Sequence, residues 1–118
     1  MVKVRCMVLS ERHNWSIFGS VFEAIFADKT FRLYYEDKGE GNTTLTLSEI
    51  RGPNAGNKLL LPVKIVELRP KLFMVTWQEP NKETVTEIED YENGFLYANI
   101  TSPKDKFFTL KAELKKVS

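Results

Sequence analysis

The residues best equipped for chemistry lie in "FMVTWQEPNKETVTEIED", residues 73–90. Alternation puts Phe73, Val75 and Trp77 on one face of an extended segment, and the next position on that apolar face is Glu79. A carboxylate facing an apolar interior is costly unless paired or hydrogen-bonded, and burial raises its pKa. Such a group can act as a general acid or base, or as a polar anchor. Standing just before Pro80, Glu79 also fits a strand end that points into solvent at a rim.

Val85, Glu87 and Glu89 share one face of the next segment, while Thr84, Thr86 and Ile88 share the other. With the Val85 face inward, Glu87 and Glu89 join Glu79 in an acidic pocket suited to a cationic ligand, an amine or a hard metal ion bound through oxygen. With that face outward they are solubilising residues, and the threonines with Ile88 line the core. The same choice applies to Tyr97 and Asn99 in "FLYANIT", where Tyr97 can offer a phenol to a ligand. Trp77 is expected inside, as core packing or with its indole N–H toward a polar ligand atom. Tyr34 and Tyr35 point to opposite faces, so only one of them can line a cavity.

Positioning these groups requires a sheet. Residues 2–9, "VKVRCMVL", alternate as a half-buried strand, with Cys6 among the valines as a small core residue. In "SIFGSVFEAIF", Ile17, Phe18, Val21, Phe22, Ile25 and Phe26 recur at helical spacing, predicting a short amphipathic helix over residues 16–26 capped by Asn14 or Ser16. Gly19 weakens that helix by about 1 kcal/mol relative to alanine. From residue 29 onward come "KTFRLYYE", "TTLTLSEI", "KLLLPVKIVEL", "LFMVTW", "ETVTEIE", "GFLYANIT" and "KFFTLKAELKKV". The breaks between them are rich in Gly, Pro, Asn or Asp. With the first strand, this predicts a mostly β, single-domain antiparallel meander of about eight strands. Closing it into an up-and-down barrel removes the exposed edges and leaves room for side chains or one small ligand. The helix would cover one mouth or pack on the wall.

Composition narrows the functions. Lys+Arg is 17 against Asp+Glu 16, for a net charge of +1, and the charges are interspersed. Nucleic acid therefore finds no electrostatic footprint, and the basic "LKAELKK" reads as a solvated strand face or tail. A single cysteine, Cys6, excludes an intramolecular disulfide and a Cys-based metal site. No apolar run approaches a membrane span or a secretory signal, so the expectation is a cytoplasmic protein without a membrane partner. The only histidine, His13, sits in a polar link and reads as a surface residue. No Ser-His-Asp set, phosphate-cradling loop or dinucleotide fingerprint is present. No cofactor or metal is expected.

The stretch "FMVTWQEPNKETVTEIEDYENGFLYANITSP", extended backwards through "DKTFRLYYEDKG", resembles the core signature of MoaF-like domains, which are small calycin (lipocalin-like) barrels. It is also similar to part of the bacterial phenolic acid decarboxylases, which share that barrel. The resemblance spans roughly residues 28–118, leaving residues 1–27 as strand plus helix. In the decarboxylases the Glu of Trp-x-Glu-Pro lies inside the barrel and takes part in catalysis, aided by two tyrosines on an early strand and an arginine on the next. By this resemblance the glutamate is Glu79 and the second tyrosine is Tyr35. The first tyrosine falls on Leu33, and the arginine's strand carries Ser48 and Glu49 instead, with Arg51 just beyond.

These readings imply a small-molecule-binding barrel, with Tyr35, Trp77, Glu79, Glu87, Glu89, Tyr97 and Asn99 as candidate ligand contacts for a small organic molecule. A second possibility is a lyase in which Glu79 transfers a proton and Tyr35 binds the substrate's carboxylate or phenol. A third is a structural or interaction module with a filled barrel, which can pair as a homodimer through the helix.

Overall fold

Tight turns set the strand order. Between the second and third strands Glu40 and Gly41 both have positive φ, 56° and 78°, the two-residue hairpin geometry that matches the natural strand twist. Further on, Pro70 precedes Lys71 at φ 68°. Proline presets the first central residue of such a turn, and the left-handed second residue completes it.

A computed structural model of the protein describes residues 15–118. It contains β1 (Val21–Ile25), β2 (Thr30–Gly39), β3 (Asn42–Arg51), β4 (Lys58–Arg69), β5 (Leu72–Gln78), β6 (Thr84–Asp90), β7 (Phe95–Ser102) and β8 (Lys106–Lys116). Each strand pairs antiparallel with the next, and β1 closes on β8 from Phe22↔Lys116 to Ile25↔Glu113. The result is a closed eight-stranded barrel. The seven β-type runs read from the sequence correspond to β2 through β8.

The first strand is not the expected one. Residues 16–26 do not form a helix; Phe18 bridges Tyr35, and Val21–Ile25 is β1. Phe22, Ala24 and Phe26 are buried while Val21, Glu23 and Ile25 are half-buried, an alternation that the helical spacing of the same apolar residues conceals. Gly19 takes φ 82°, which breaks any helix there. The decisive energy is long-range, because β1 pairs with β2 on one side and β8 on the other and leaves neither edge open. Among the described residues there is no helix, and none long and apolar enough to cross a membrane. The expected strand over residues 2–9, Cys6, His13 and the Asn14 cap lie outside the described residues.

Every strand contributes a buried side chain to the core. Leu33, Tyr35, Leu45, Val75 and Leu96 are essentially fully buried, and each buried aliphatic side chain contributes about 1.5–3 kcal/mol. At the end where β2–β3, β4–β5 and β6–β7 turn, Trp15, Phe22, Phe73 and Tyr91 pack with ring centroids 4.6–6.4 Å apart. This aromatic plug, supplied partly by the segment before β1, closes one end of the barrel, in place of the expected helix over a mouth or on the wall. The opposite end stays open.

Candidate functional site

A cavity of about 530 Å³ occupies the open end. Its apolar wall comes from the inner faces of six strands, with Ala24 on β1, Phe31 and Leu33 on β2, Leu47 on β3, Leu59 on β4, Ala98 on β7 and Leu110 on β8. Its polar groups come from the hairpins that rim it: Lys29 after β1, Glu49, Asn54, Asn57 and Lys58 around the β3–β4 turn, and Glu79, Asn81 and Glu83 around the β5–β6 turn. Glu87, one step deeper on β6, also lines it.

The β6 register decides which acids face inward. Glu87 stands opposite Val75 on β5 and Ala98 on β7, and Glu89 opposite Phe73 and Leu96. All four partners are buried, so the Val85–Glu87–Glu89 face is the interior one. Glu89 is completely buried and accepts from both Tyr35 Oη and Tyr91 Oη at 2.7 Å. Burial, followed by the negative charge of Glu89, pushes both phenols well above the ordinary tyrosine range.

Glu87 is 7% exposed, and its Oε1 has no hydrogen-bond partner. Burial first, then a hydrogen bond with Glu89 and the charges of Glu89 and Glu79, push its carboxyl well above the usual range. Ionising it would add negative charge beside Glu89 and Glu79 at a buried position, which favours the protonated form.

At the rim, Trp77 Nε1 donates to Glu79 Oε2 at 3.2 Å. Glu79 lies just beyond β5, half-buried, so it follows the apolar face of Trp77 to the cavity mouth. Across the mouth, Glu49 Oε2 accepts from the Asn54 amide at 2.9 Å. Gly52 makes this turn possible. At φ 128°, a Cβ on it would lie 2.6 Å from Glu49 Oε2 and 2.7 Å from Lys29 Cβ.

Of the residues singled out in the sequence, Glu79 and Glu87 line the cavity. Glu89 and Tyr35 lie behind its floor, joined to each other, and Trp77 is buried against Glu79. Tyr97 and Asn99 are corrected: both side chains are exposed on the outer face, where Tyr97 packs on Phe95 and Lys111, and Asn99 Oδ1 accepts from Thr109. On β7 it is Leu96 and Ala98 that turn inward.

Further polar residues of the site carried a readable signal. The alternation of β6 runs backwards to Glu83 and forwards to Tyr91, and that of β3 runs from Leu45 and Leu47 to Glu49. Each continues an apolar face into a turn, where sequence alone no longer says that the face persists. Arg51 serves the framework, donating to Thr30 Oγ1 at 3.0 Å and to the Phe26 carbonyl at 2.8 Å.

Solved structures share this barrel. One is a crystal structure of a protein from Burkholderia vietnamiensis with a provisional beta-lactamase designation, similar at a TM-score of 0.77 and 22% identity over 87% of this chain and 97% of that one. At that identity the likeness shows the fold alone. No curated protein matches the chain. The sequence itself matches the MoaF-like family over residues 18–115, a span that takes in every strand but the last residue of β8, and the chain therefore belongs to the MoaF-like family.

Proposed function

We propose that this barrel binds a small organic molecule, which enters the open end and lies with its apolar body against Phe31, Leu33, Leu47 and Leu110. The observation that carries this reading is Glu87: a buried carboxyl with an unpartnered oxygen, at the floor of a cavity of about 530 Å³. That volume falls within the range of small-molecule pockets, which pair apolar walls with a few convergent polar groups. A filled structural barrel gains little support from an open space of this size. The single cysteine, Cys6, fits a carrier working in the reducing cytoplasm.

A decarboxylase-type lyase has less behind it. Tyr35 spends its hydroxyl on Glu89 rather than on the cavity, and Ser48 and Glu49 occupy the strand where those enzymes carry an arginine.

The test is native mass spectrometry of freshly purified protein beside its denatured mass, together with an Ala98→Phe variant. Ala98 is 1% exposed and lines the cavity beside Glu87, so phenylalanine there fills space that a ligand needs. A reproducible extra mass, lost on denaturation and absent from folded Ala98→Phe, is the expected result. An apo mass, with no compound in a chemically diverse panel raising Tm of the unaltered protein, overturns the proposal.

A further inference from the structure

Four carboxyls line the cavity, from Glu49, Glu79, Glu83 and Glu87, against two ammonium groups, from Lys29 and Lys58. Among the described residues neither lysine forms an ion pair with them. With Glu87 protonated, the carboxylates of Glu49, Glu79 and Glu83 still outnumber the two ammonium groups, and this excess of negative charge at the mouth favours cations in the cavity.

An acidic cluster alone would say little, but Glu87 adds an independent feature. It is more than nine-tenths buried, faces the cavity, and leaves Oε1 without a partner. Unsatisfied buried polar atoms are few in folded proteins, and a ligand is one of the things that completes them. The groups facing it are Glu89 on its own strand, Glu79 from the end of β5, Tyr35 from β2 and Tyr91 from the turn after β6. None of these is a cation. The two phenols already donate to Glu89, so neither is committed to Glu87.

Building on the small-molecule reading, we infer that the ligand is an organic amine whose ammonium group docks on Glu87, with a hydrocarbon body against the apolar wall. The ammonium takes the place of the proton that Glu87 otherwise holds. Free R–NH3+ and the Glu87 carboxylic acid become an R–NH3+ to carboxylate ion pair, and one proton leaves to solvent. Glu79 and Glu83 at the mouth draw the cation in, while the floor fixes its orientation. Anions of the same length are repelled, and neutral alcohols leave the floor acid protonated.

This fixes the sign of the pH dependence. Because binding releases a proton while Glu87 is protonated in the free protein, amine affinity rises by up to about tenfold per pH unit in that range. A neutral ligand that used the Glu87 acid as a hydrogen-bond donor would instead bind with constant affinity in that range and lose affinity above the folded pKa.

The experiment is isothermal titration of linear primary alkylamines of graded length, with the alcohols and carboxylates of matching length, into the full chain. Each titration is run at several pH values and in two non-amine buffers of unlike ionisation enthalpy. Expected are amines binding at least about tenfold tighter than the alcohols, release of one proton, and affinity rising with pH. Glu87→Gln, which keeps shape, should lose the proton release and flatten the pH slope. Glu113→Gln, exposed on the outer face of β8 and away from the cavity, should keep both and serves as the second variant. Alcohols binding as well as amines, or Glu87→Gln leaving the amine pH slope unchanged, overturns the amine assignment while leaving the cavity reading intact. If none of the three series binds and no copurified mass is found, both fail.

Discussion

Tyr35 Oη donates to Glu89 Oε2 at 2.7 Å, joining residues 54 positions apart inside the barrel. Tyr91 completes the pair on the other oxygen at 2.7 Å. The carboxyl of Glu89 is thus held on both oxygens where water does not reach it.

Removing one phenol strands a buried oxygen. Tyr35→Phe should destabilise the protein by about 1–3 kcal/mol, the cost of an unsatisfied buried polar atom, as measured by urea denaturation. In a spectrophotometric titration, Tyr35 and Tyr91 should ionise only well above the ordinary tyrosine range, in step with alkaline unfolding. Ionisation of Tyr35 or Tyr91 within the ordinary tyrosine range, before unfolding, would contradict the buried triad.

Glu87 makes stability fall with rising pH. Its folded pKa is raised, so above the unfolded value of about 4.3 the native state holds a proton that the unfolded chain has released. Stability therefore declines from there up to the folded pKa. Glu87→Gln abolishes that decline and should melt higher than the unaltered protein at pH 7 to 8. The difference should close toward about pH 4, and parallel melting series across this range check it.

Asp90 acts in the opposite sense. The Asn93 side chain, then the backbone amides of Asn93 and Glu92, and Arg69 hold its carboxyl below the usual range despite the opposing effect of burial. Its contribution is present above about pH 4 and is lost as the pH falls through the lower folded value. Asp90→Ala should cost about 1–3 kcal/mol at neutral pH. It should also make the acid limb of a stability–pH curve shallower, as urea titrations at pH 7 and pH 3 would reveal.

Gly52→Ala should damage the cavity mouth. The added methyl meets Lys29 Cβ at 2.7 Å as well as Glu49 Oε2 at 2.6 Å, in a left-handed backbone that alanine disfavours. A loss of more than about 1 kcal/mol is expected, with proton exchange faster in the Asn54–Asn57 amides than at the aromatic plug. Unchanged stability would mean that the turn has slack.

The sequence by itself determined β2 through β8, because each is an alternating run bounded by turn residues, and both turn chemistry and period act over a few positions. It also determined that Phe73, Val75 and Trp77 face inward and that Glu79 follows them to a boundary. Tertiary structure decided what depends on closure. Val21–Ile25 became a strand because two sheet edges needed a partner, overriding a helical spacing of apolar residues. Residues 84–90 alternate with apolar or small residues on both faces, so only the register with Phe73, Val75, Leu96 and Ala98 turned Glu87 and Glu89 inward. On β7 the same closure turned Tyr97 and Asn99 out. Hydrogen bonds such as that of Tyr35 to Glu89 span distances in sequence over which no local pattern carries information, so the floor of the cavity exists only once the barrel has closed.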